Sequence, residues 1–318
     1  MRDDARQHEN RGLSCPNDIR ESAPGRGLPL SAALLLGLLC FLWGANAVSI
    51  KYSNQGVPPL MAAAVRSLVA GLLVWGYARR KGHRVGLPPG QRRHAMVMGL
   101  LFGLEFLFLY WGLAFTPASR SMIFLYTHPF WVALGAHFFL KDDQLSPVKV
   151  IGLLVAFGGI LAVFGARSPA LPDGYWIGDL MELAAAIFWA ANTLYVKRIT
   201  AEVRLDHYQS LFAQLMYAFP VLMAGSLLFE RSTALNLDGT VLAALLYQSV
   251  VVAFASYLAW FWLICRHPVS RLAAFTFMAP LFGVILGTWV LGEPVSLPVW
   301  VGLACVAALV MNPTFAAY

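Results

Sequence analysis

Long apolar stretches separated by short polar connections occupy the chain after its first 28 residues. A representative stretch, LPLSAALLLGLLCFLWGANAVSI, has about the 20 residues that an α-helix needs to cross a bilayer. The connections are short, so almost every backbone polar group is expected to be satisfied inside a helix. The pattern predicts an all-α integral membrane protein with ten transmembrane helices, near residues 29–51, 59–77, 94–113, 118–139, 147–165, 176–196, 208–229, 241–263, 269–290 and 298–312.

Composition supports this class. Hydrophobic residues make up 59% of the chain and charged residues 12%, against about a quarter charged in a soluble domain. The net charge of +7 is spread over connections and tails, so no nucleic-acid partner is predicted. The four cysteines lack CxxC spacing, and neither a metal site nor a cofactor is predicted. Residues 1–28 are polar, carry five arginines and are predicted to form a disordered cytosolic tail.

The distribution of Lys and Arg predicts the orientation. With the N-terminus inside, the cytoplasmic segments hold 18 of these residues. The outer side holds four, namely Lys51, Arg120, Arg167 and Arg231. An excess of this size on one side predicts that both termini lie in the cytoplasm.

The chain contains an internal repeat. WGANAVSIK, which begins at Trp43, matches WAANTLYVK, which begins at Trp189, and a block from Pro117 matches one from Pro268 at nearly the same offset. We therefore predict two related halves, 29–165 and 176–312. Five spans in each half would make the second enter the membrane from the opposite side. Inverted repeats around one central site are the geometry of alternating access, which predicts a carrier.

Several motifs of the chain resemble those of the drug/metabolite transporter superfamily and, within it, the ten-span EamA family. The likeness is carried by FLWGANAVSIK, AAAVRSLVAG, THPFWVALGAHFFL, IFWAANTLYVKR and APLFGVILGTWVLGEPVS, in this order. It covers essentially everything after the tail. One departure is Lys141-Asp142, where the second half has the family-like Gly292-Glu293.

The resemblance implies ten helices around a central cavity in a bacterial inner membrane. Known members mostly export amino acids and other metabolites, and related proteins carry nucleotide sugars or phosphorylated sugars. Substrate identity varies widely among relatives and is not implied.

Four ionisable residues lie deep in the predicted spans, where they are costly and therefore candidates for function. On a rise of about 1.5 Å per residue, Glu105 lies roughly 15 Å from the cytoplasmic end of its span. Arg66, His128 and Glu182 lie in the outer half, and we expect the four to form one charged cluster. Glu105 would exchange a proton or bind a substrate amine, and Arg66 would bind a carboxylate. The alternative is a structural pair of Arg66 with Glu105 or Glu182 that holds helices together.

The repeated Trp43–Asn46 and Trp189–Asn192 pairs lie on one face of their helices and are predicted to frame the pocket or to pack between helices. His128 has no counterpart in the second half, which favours a specific role over a general one. Pro129 and Pro280 are predicted hinges. Further candidates for the cavity lining are aromatic or amide side chains, namely Tyr110, Tyr126, Gln248, Tyr257, Trp260 and Phe275.

The sequence thus predicts a secondary transporter of a small organic metabolite, most simply an exporter of amino acids or related compounds. The expected partners are the lipid bilayer, a small-molecule substrate and, as an open option, protons. A carrier of nucleotide or phosphorylated sugars, a channel and an integral-membrane lipid-modifying enzyme stay open as alternatives. The enzyme has the least support, because HExxH and GxSxG motifs are absent. The oligomeric state is not predicted.

Overall fold

The structure, a computed structural model, describes residues 29–139, 147–165, 171–202, 205–230, 235–264, 272, 276 and 278–311. This part of the chain is helical and contains no β-strand. Residues 1–28, Lys141, Asp142 and Phe275 lie outside it. The helices are α1 (Leu30–Ser53), α2 (Pro59–Arg80), α3 (Arg92–Phe115), α4 (Ala118–Leu125), α5 (His128–Phe139), α6 (Pro147–Gly165), α7 (Tyr175–Glu202), α8 (His207–Phe229), α9 (Gly239–Leu246), α10 (Tyr257–Ile264), α11 (Met278–Leu291) and α12 (Leu297–Met311).

Helix is found in each of the ten predicted spans, which confirms the all-α membrane class. Six helices within the described residues are long and apolar enough to cross a bilayer, namely α1, α2, α3, α7, α8 and the helix Gly239–Trp260. Helix α11 is apolar but shorter. Pro220 lies inside α8 without ending it.

The fourth span differs from the prediction of one continuous helix over 118–139. It divides into α4 and α5, with the break at Tyr126 and Thr127 directly before His128 and Pro129. Proline has no amide hydrogen and disfavours helical backbone at the preceding residue, so it is tolerated best in the first turn of a helix. Pro129 occupies such a position in α5.

The eighth span contains a π-helical segment, Tyr247–Ser256, between α9 and α10. The sequence contains no marker that predicts it. Helices of this type are rare and are found mostly at functional positions. This one carries Gln248 and ends directly before Tyr257, two of the predicted cavity residues.

The ends of the helices fall into two groups at opposite ends of the bundle. A chain whose successive spans run in opposite directions requires this arrangement. The connections after the first, third, seventh and ninth spans meet at one end, where Asn236 N donates to Gly56 O. We call this the outer end, following the predicted orientation. At the opposite end, His83 Nδ1 lies 3.1 Å from Asp206 Oδ2.

Glycines allow α3 to pack closely against two neighbours. A Cβ at Gly99 would lie 2.1 Å from Tyr217 Cβ of α8, and a Cβ at Gly103 would lie 3.0 Å from Val221 Cβ. A Cβ at Gly178 of α7 would lie 2.7 Å from the Gly112 carbonyl oxygen. Small residues at such contacts let helix backbones approach in a membrane, where hydrophobic association is weak.

Asp206 begins α8 with a capping box. Its Oδ1 accepts from the Tyr208 amide at 3.3 Å, and Gln209 Oε1 accepts from the Asp206 amide at 3.2 Å. Burial acts to raise the pKa of Asp206, but hydrogen bonds and the charges of His207 and His83 outweigh it and lower the pKa from its ordinary value of 3.8. Asp206 therefore joins the connection before α3 to the start of α8.

We predict that Gly99→Ala lowers the thermal stability of the purified protein, because a methyl group there collides with Tyr217. Overpacking of this kind costs about 1–3 kcal/mol. Gly37→Ala on α1 is the matched control, since a Cβ at Gly37 has nothing within 4 Å. It should leave the melting temperature unchanged or raise it. Equal melting temperatures for the two variants would contradict the close α3–α8 contact.

We predict that Asp206→Ala destabilises the protein by about 1 kcal/mol at neutral pH through loss of the cap. The folded-state pKa of Asp206 is lowered, so its stabilising effect is present above the unfolded-state pKa and disappears as pH falls through the folded-state value. Thermal unfolding measured from neutral pH to below about pH 4 should show the two proteins converge. A constant difference over this range would exclude the ionised cap.

Candidate functional site

Arg66 lies on α2 in the interior of the bundle and has no exposed surface. Its Nη2 donates to Tyr257 Oη at 3.2 Å, and its guanidinium carbon lies 4.1 Å from the ring centroid of Phe106. Nε and Nη1 have no hydrogen-bond partner among the described residues. A buried guanidinium with free donors in a fixed plane is suited to bind a planar anion such as a carboxylate.

Glu105 lies one residue before Phe106 on α3 and is 6% exposed. Arg66 is its electrostatic neighbour, but no ion pair within 4.0 Å joins the two side chains. Oε2 of Glu105 has no hydrogen-bond partner among the described residues. The structural ion pair considered from the sequence is therefore not formed, and a buried guanidinium and a buried carboxyl group face one interior region. We call Arg66 and Glu105 the central pair.

Tyr110 and Gln248, two other predicted lining residues, bind each other. Tyr110 Oη donates to Gln248 Oε1 at 2.6 Å. Gln248 Nε2 donates to Ser49 Oγ at 3.2 Å and to Ser53 Oγ at 3.0 Å on α1. Gln248 thus links α1, α3 and the π-helical segment, and it supports the site rather than offering free groups to a ligand.

The two repeated tryptophans have similar surroundings in the two halves. Trp43 meets Trp260 edge to face at 5.4 Å between ring centroids, and Trp43 Nε1 donates to Ser256 Oγ at 2.9 Å. Trp189 stacks on His128 at 3.7 Å and meets Tyr126 edge to face at 5.8 Å. Each tryptophan therefore belongs to an aromatic cluster that joins the two halves, and His128 belongs to the one around Trp189.

The repeated asparagines differ in their contacts. Asn192 Nδ2 donates to Gln214 Oε1 at 2.8 Å and joins α7 to α8. The side-chain oxygens Oδ1 of Asn46 and Asn192 are both buried and have no partner among the described residues. Asn192 thus joins two helices through its amide nitrogen, and each asparagine keeps an acceptor available.

The four ionisable residues do not form the single cluster expected from their depths. Arg66 and Glu105 are neighbours, whereas Glu182 lies nearer the outer end beside Asp179 and Lys51, and His128 is stacked on Trp189. Depth along a span predicts height in the bilayer but not the direction in which a side chain points. That direction depends on how each helix is rotated about its axis.

Two glutamates cap helices of the opposite half at the outer end. Glu293, which follows α11, accepts from the Ala118 amide at 2.6 Å and from the Ser119 amide at 2.9 Å at the start of α4. Glu230, which follows α8, accepts from the Leu60 amide at 2.7 Å and from the Met61 amide at 3.2 Å at the start of α2. Glu293 follows the ninth span and caps the fourth, and Glu230 follows the seventh span and caps the second. In each case the two spans are counterparts in the internal repeat. A negative charge at a helix N-terminus is favourable, so both contacts join the two halves at the outer end.

Arg120 and Asp179 form a buried ion pair that the sequence analysis missed. Both are almost completely buried, Arg120 donates to both carboxylate oxygens of Asp179, and Thr116 Oγ1 donates to Oδ1 at 2.6 Å. Arg120, which was counted with the charges of the outer side, lies in the first turn of α4, close to the outer end. The signal available in the sequence was a basic residue in the fourth predicted span together with an acidic residue in the sixth.

The predicted hinges have different settings. Pro129 follows the break between α4 and α5, as described above. Pro280 lies within α11 and is buried, and a Cβ at the nearby Gly283 would collide with Met122 of α4. A cavity of about 100 Å³ beside the Glu293 cap is lined by Pro117, Ser119, Arg120, Leu171, Pro294, Val295, Ser296 and Val299. It lies at the outer end and not at the central pair.

These observations define a multi-pass α-helical membrane protein with a polar interior site, built from a duplicated unit. The EamA-like transporter family matches residues 30–165 and residues 176–311, so the unit occurs twice. The chain belongs to the EamA-like transporter family. This confirms the resemblance seen in the sequence motifs, and it makes the protein a membrane transporter.

Similar proteins carry transporter names. The chain is 28% identical over 279 residues to the uncharacterized transporter YvbV of Bacillus subtilis, covering 85% of this chain and 87% of that protein. It is 27% identical over 271 residues to a probable amino-acid metabolite efflux pump of Salmonella typhimurium, covering 81% and 86%. It is 27% identical over 300 residues to the uncharacterized inner membrane transporter YedA of Escherichia coli, covering 92% of each. A solved crystal structure with 21% identity shares the fold, with a TM-score of 0.61 over 90% of this chain and 96% of that one.

We predict that Glu293→Gln opens the outer end more often, because the amide has one acceptor oxygen and no charge with which to hold the start of α4. Loss of a helix cap costs about 0.5–2 kcal/mol, which corresponds to a twofold to thirtyfold larger open fraction. The rate at which a maleimide labels Ser296→Cys beside the cap measures that fraction. Asp173→Asn, at an exposed carboxylate of the same end, is the control. Unchanged labelling in Glu293→Gln would show that the cap does not hold this end closed.

Proposed function

We propose that the protein exports amino acids or closely related zwitterionic metabolites by alternating access, with the central pair as the substrate site. Arg66 binds the substrate carboxylate through Nε and Nη1. Glu105 binds the ammonium group through Oε2. Trp43, Trp189, Tyr126 and Tyr257 surround the rest of the molecule.

The observation that carries the proposal is that Arg66 and Glu105 are both buried and mutually attracted, yet keep free hydrogen-bonding atoms. Burying an unpaired charge in a membrane protein is costly, and such residues are commonly found where a substrate or ion binds. A zwitterion supplies one charge of each sign and satisfies both residues at once. The hydrogen bonds are charge-assisted and therefore stronger than neutral ones.

The charge of the central pair favours a zwitterion over a sugar phosphate. With Glu105 ionised, as it would be when it binds an ammonium group, Arg66 and Glu105 together carry no net charge, whereas a nucleotide sugar brings two negative charges and a sugar monophosphate brings between one and two near neutral pH. Glu105 would repel such a ligand beside the only cation that the described residues place at this site. The aromatic clusters around Trp43 and Trp189 favour substrates that also have an apolar or aromatic part.

Direction and location follow the relatives. The efflux name of the Salmonella typhimurium relative and the inner-membrane name of the Escherichia coli relative support export from the cytoplasm across a bacterial inner membrane. The excess of Lys and Arg on one face supports cytoplasmic termini. We also propose that the two halves, 29–165 and 176–312, are inverted relative to each other and face the central pair from opposite sides.

Counterflow in proteoliposomes tests the proposal. Vesicles that contain the purified protein are preloaded with unlabelled phenylalanine, and uptake of labelled phenylalanine is followed. The competitors are phenethylamine, which lacks the carboxylate, phenylpropionate, which lacks the amine, glucose 6-phosphate and UDP-glucose. We expect phenylalanine to compete at least tenfold better than either analogue, since a hydrogen bond to a charged group contributes about 1.5–3 kcal/mol.

Two variants assign the charges. Arg66→Gln should weaken phenylalanine binding about tenfold or more and leave phenethylamine binding nearly unchanged, because the latter has no carboxylate to lose. Glu105→Gln should weaken phenylalanine binding about tenfold or more and leave phenylpropionate binding nearly unchanged, because phenylpropionate has no ammonium group to lose. Asp173→Asn is the control and should bind all compounds as the wild type does. Counterflow of UDP-glucose or glucose 6-phosphate without counterflow of phenylalanine would contradict the proposed substrate class.

A further inference from the structure

A second buried carboxylate lies outside the central pair. Glu182 on α7 has no exposed surface, and neither Oε1 nor Oε2 has a hydrogen-bond partner among the described residues. Its side chain lies against the backbone of Gly112 on α3, at which a Cβ would be 3.1 Å from Oε1. An ionised carboxylate buried without partners is costly, so a residue in this setting needs a reason to be there.

The groups around Glu182 leave one counter-ion for it. Asp179, one turn earlier on α7, is held by Arg120 of α4. From α4, the hydroxyl group of Ser121 also faces Glu182. The titratable group of α5 on this side is His128, which is stacked on Trp189. The remaining charged neighbour is Lys51 near the end of α1.

Lys51 is shared between two carboxylates. It lies within electrostatic range of Glu182 and of Glu293, and no ion pair within 4.0 Å joins it to either. Glu293 uses both oxygens to cap α4. A conformation in which this cap is broken would free Glu293 to attract Lys51, whereas the cap leaves Lys51 to Glu182. The charge beside Glu182 would then depend on whether the cap is formed.

We propose that Glu182 is a proton-binding site, separate from the substrate site, through which an inward proton movement drives the outward movement of substrate. This inference rests on the proposed function. With the outer end open, an Oε atom of Glu182 takes a proton from external water and becomes a neutral carboxylic acid. After reorientation the O–H bond breaks, the proton passes to internal water, and the carboxylate is again balanced by Lys51. One proton enters for each substrate molecule that leaves.

Two transport measurements on the same proteoliposomes separate coupling from substrate binding. The first is exchange of labelled phenylalanine for unlabelled phenylalanine at equal pH on both sides. The second is net efflux of preloaded labelled phenylalanine with and without an acidic exterior. For Glu182→Gln we expect exchange within twofold of wild type and loss of stimulation by the gradient. Glu182→Asp keeps an ionisable group and should stay stimulated. Asp173→Asn should behave as wild type in both measurements.

The outcomes distinguish the inference from the proposed function. Gradient stimulation that persists in Glu182→Gln, or a wild type that the gradient does not stimulate, overturns the proton site. Absence of phenylalanine exchange in the wild type overturns the proposed function instead. In that case, or if Glu182→Gln transports nothing, infrared difference spectra of the protein after a pH jump decide the inference. A carboxylic acid C=O band that disappears in Glu182→Gln but not in Glu105→Gln supports the proton site, and an unchanged band overturns it.

Discussion

The close contact of α3 with α7 places Glu105 and Glu182, the two buried carboxylates that form no ion pair among the described residues. The two backbones approach at Gly112 and Gly178, where a side chain on Gly178 would collide with a carbonyl oxygen of α3. Glu105 and Tyr110 come from one of these helices, and Glu182 and Trp189 come from the other. In a bilayer, the helices gain little from hydrophobic association, so packing at small residues sets their spacing. A wider separation would move Glu105 away from Arg66 and would let lipid or water reach Glu182.

The charged residues of the described interior divide into those whose polar atoms have hydrogen-bond or ion-pair partners and those with unpartnered polar atoms. This division supports the roles proposed for them. Arg120 and Asp179 bind each other, and Glu293 and Glu230 bind helix N-termini. These groups hold elements of the two halves together at the outer end. Arg66, Glu105 and Glu182 keep unused hydrogen-bonding atoms. Charged groups without partners are expensive in a membrane, which supports the proposed binding roles of these three residues.

The sequence predicts the helices well because the bilayer imposes one length and one polarity on every span. The repeat is equally visible, since Trp43 and Trp189 occur in matching motifs and the family match covers both halves. Two irregularities of the helices differ in how well the sequence predicts them. The break before Pro129 could be expected from proline chemistry, whereas the π-helical segment from Tyr247 has no such marker, because its hydrogen-bond pattern depends on packing against α1 and α2.

The arrangement of the site is less accessible from sequence. The proximity of Arg66 to Glu105 and the separate location of Glu182 depend on the rotation of each helix, which hydropathy does not specify. Arg120 shows the same limit, because a charge near the end of a span is either solvated or buried depending on whether a partner such as Asp179 faces it. The caps formed by Glu293 and Glu230 require knowledge of which helix starts lie beside them.

The central claim is that one zwitterion bridges Arg66 and Glu105, and the most direct test is an experimental structure of the protein with bound 4-bromophenylalanine. The bromine identifies the ligand and its orientation without ambiguity. The account predicts the carboxylate within hydrogen-bonding distance of Nε and Nη1 of Arg66, the ammonium group at Oε2 of Glu105, and the bromophenyl ring among the aromatic side chains. A ligand bound beside Lys51 and Glu182, or in the outer cavity next to Glu293, would contradict it.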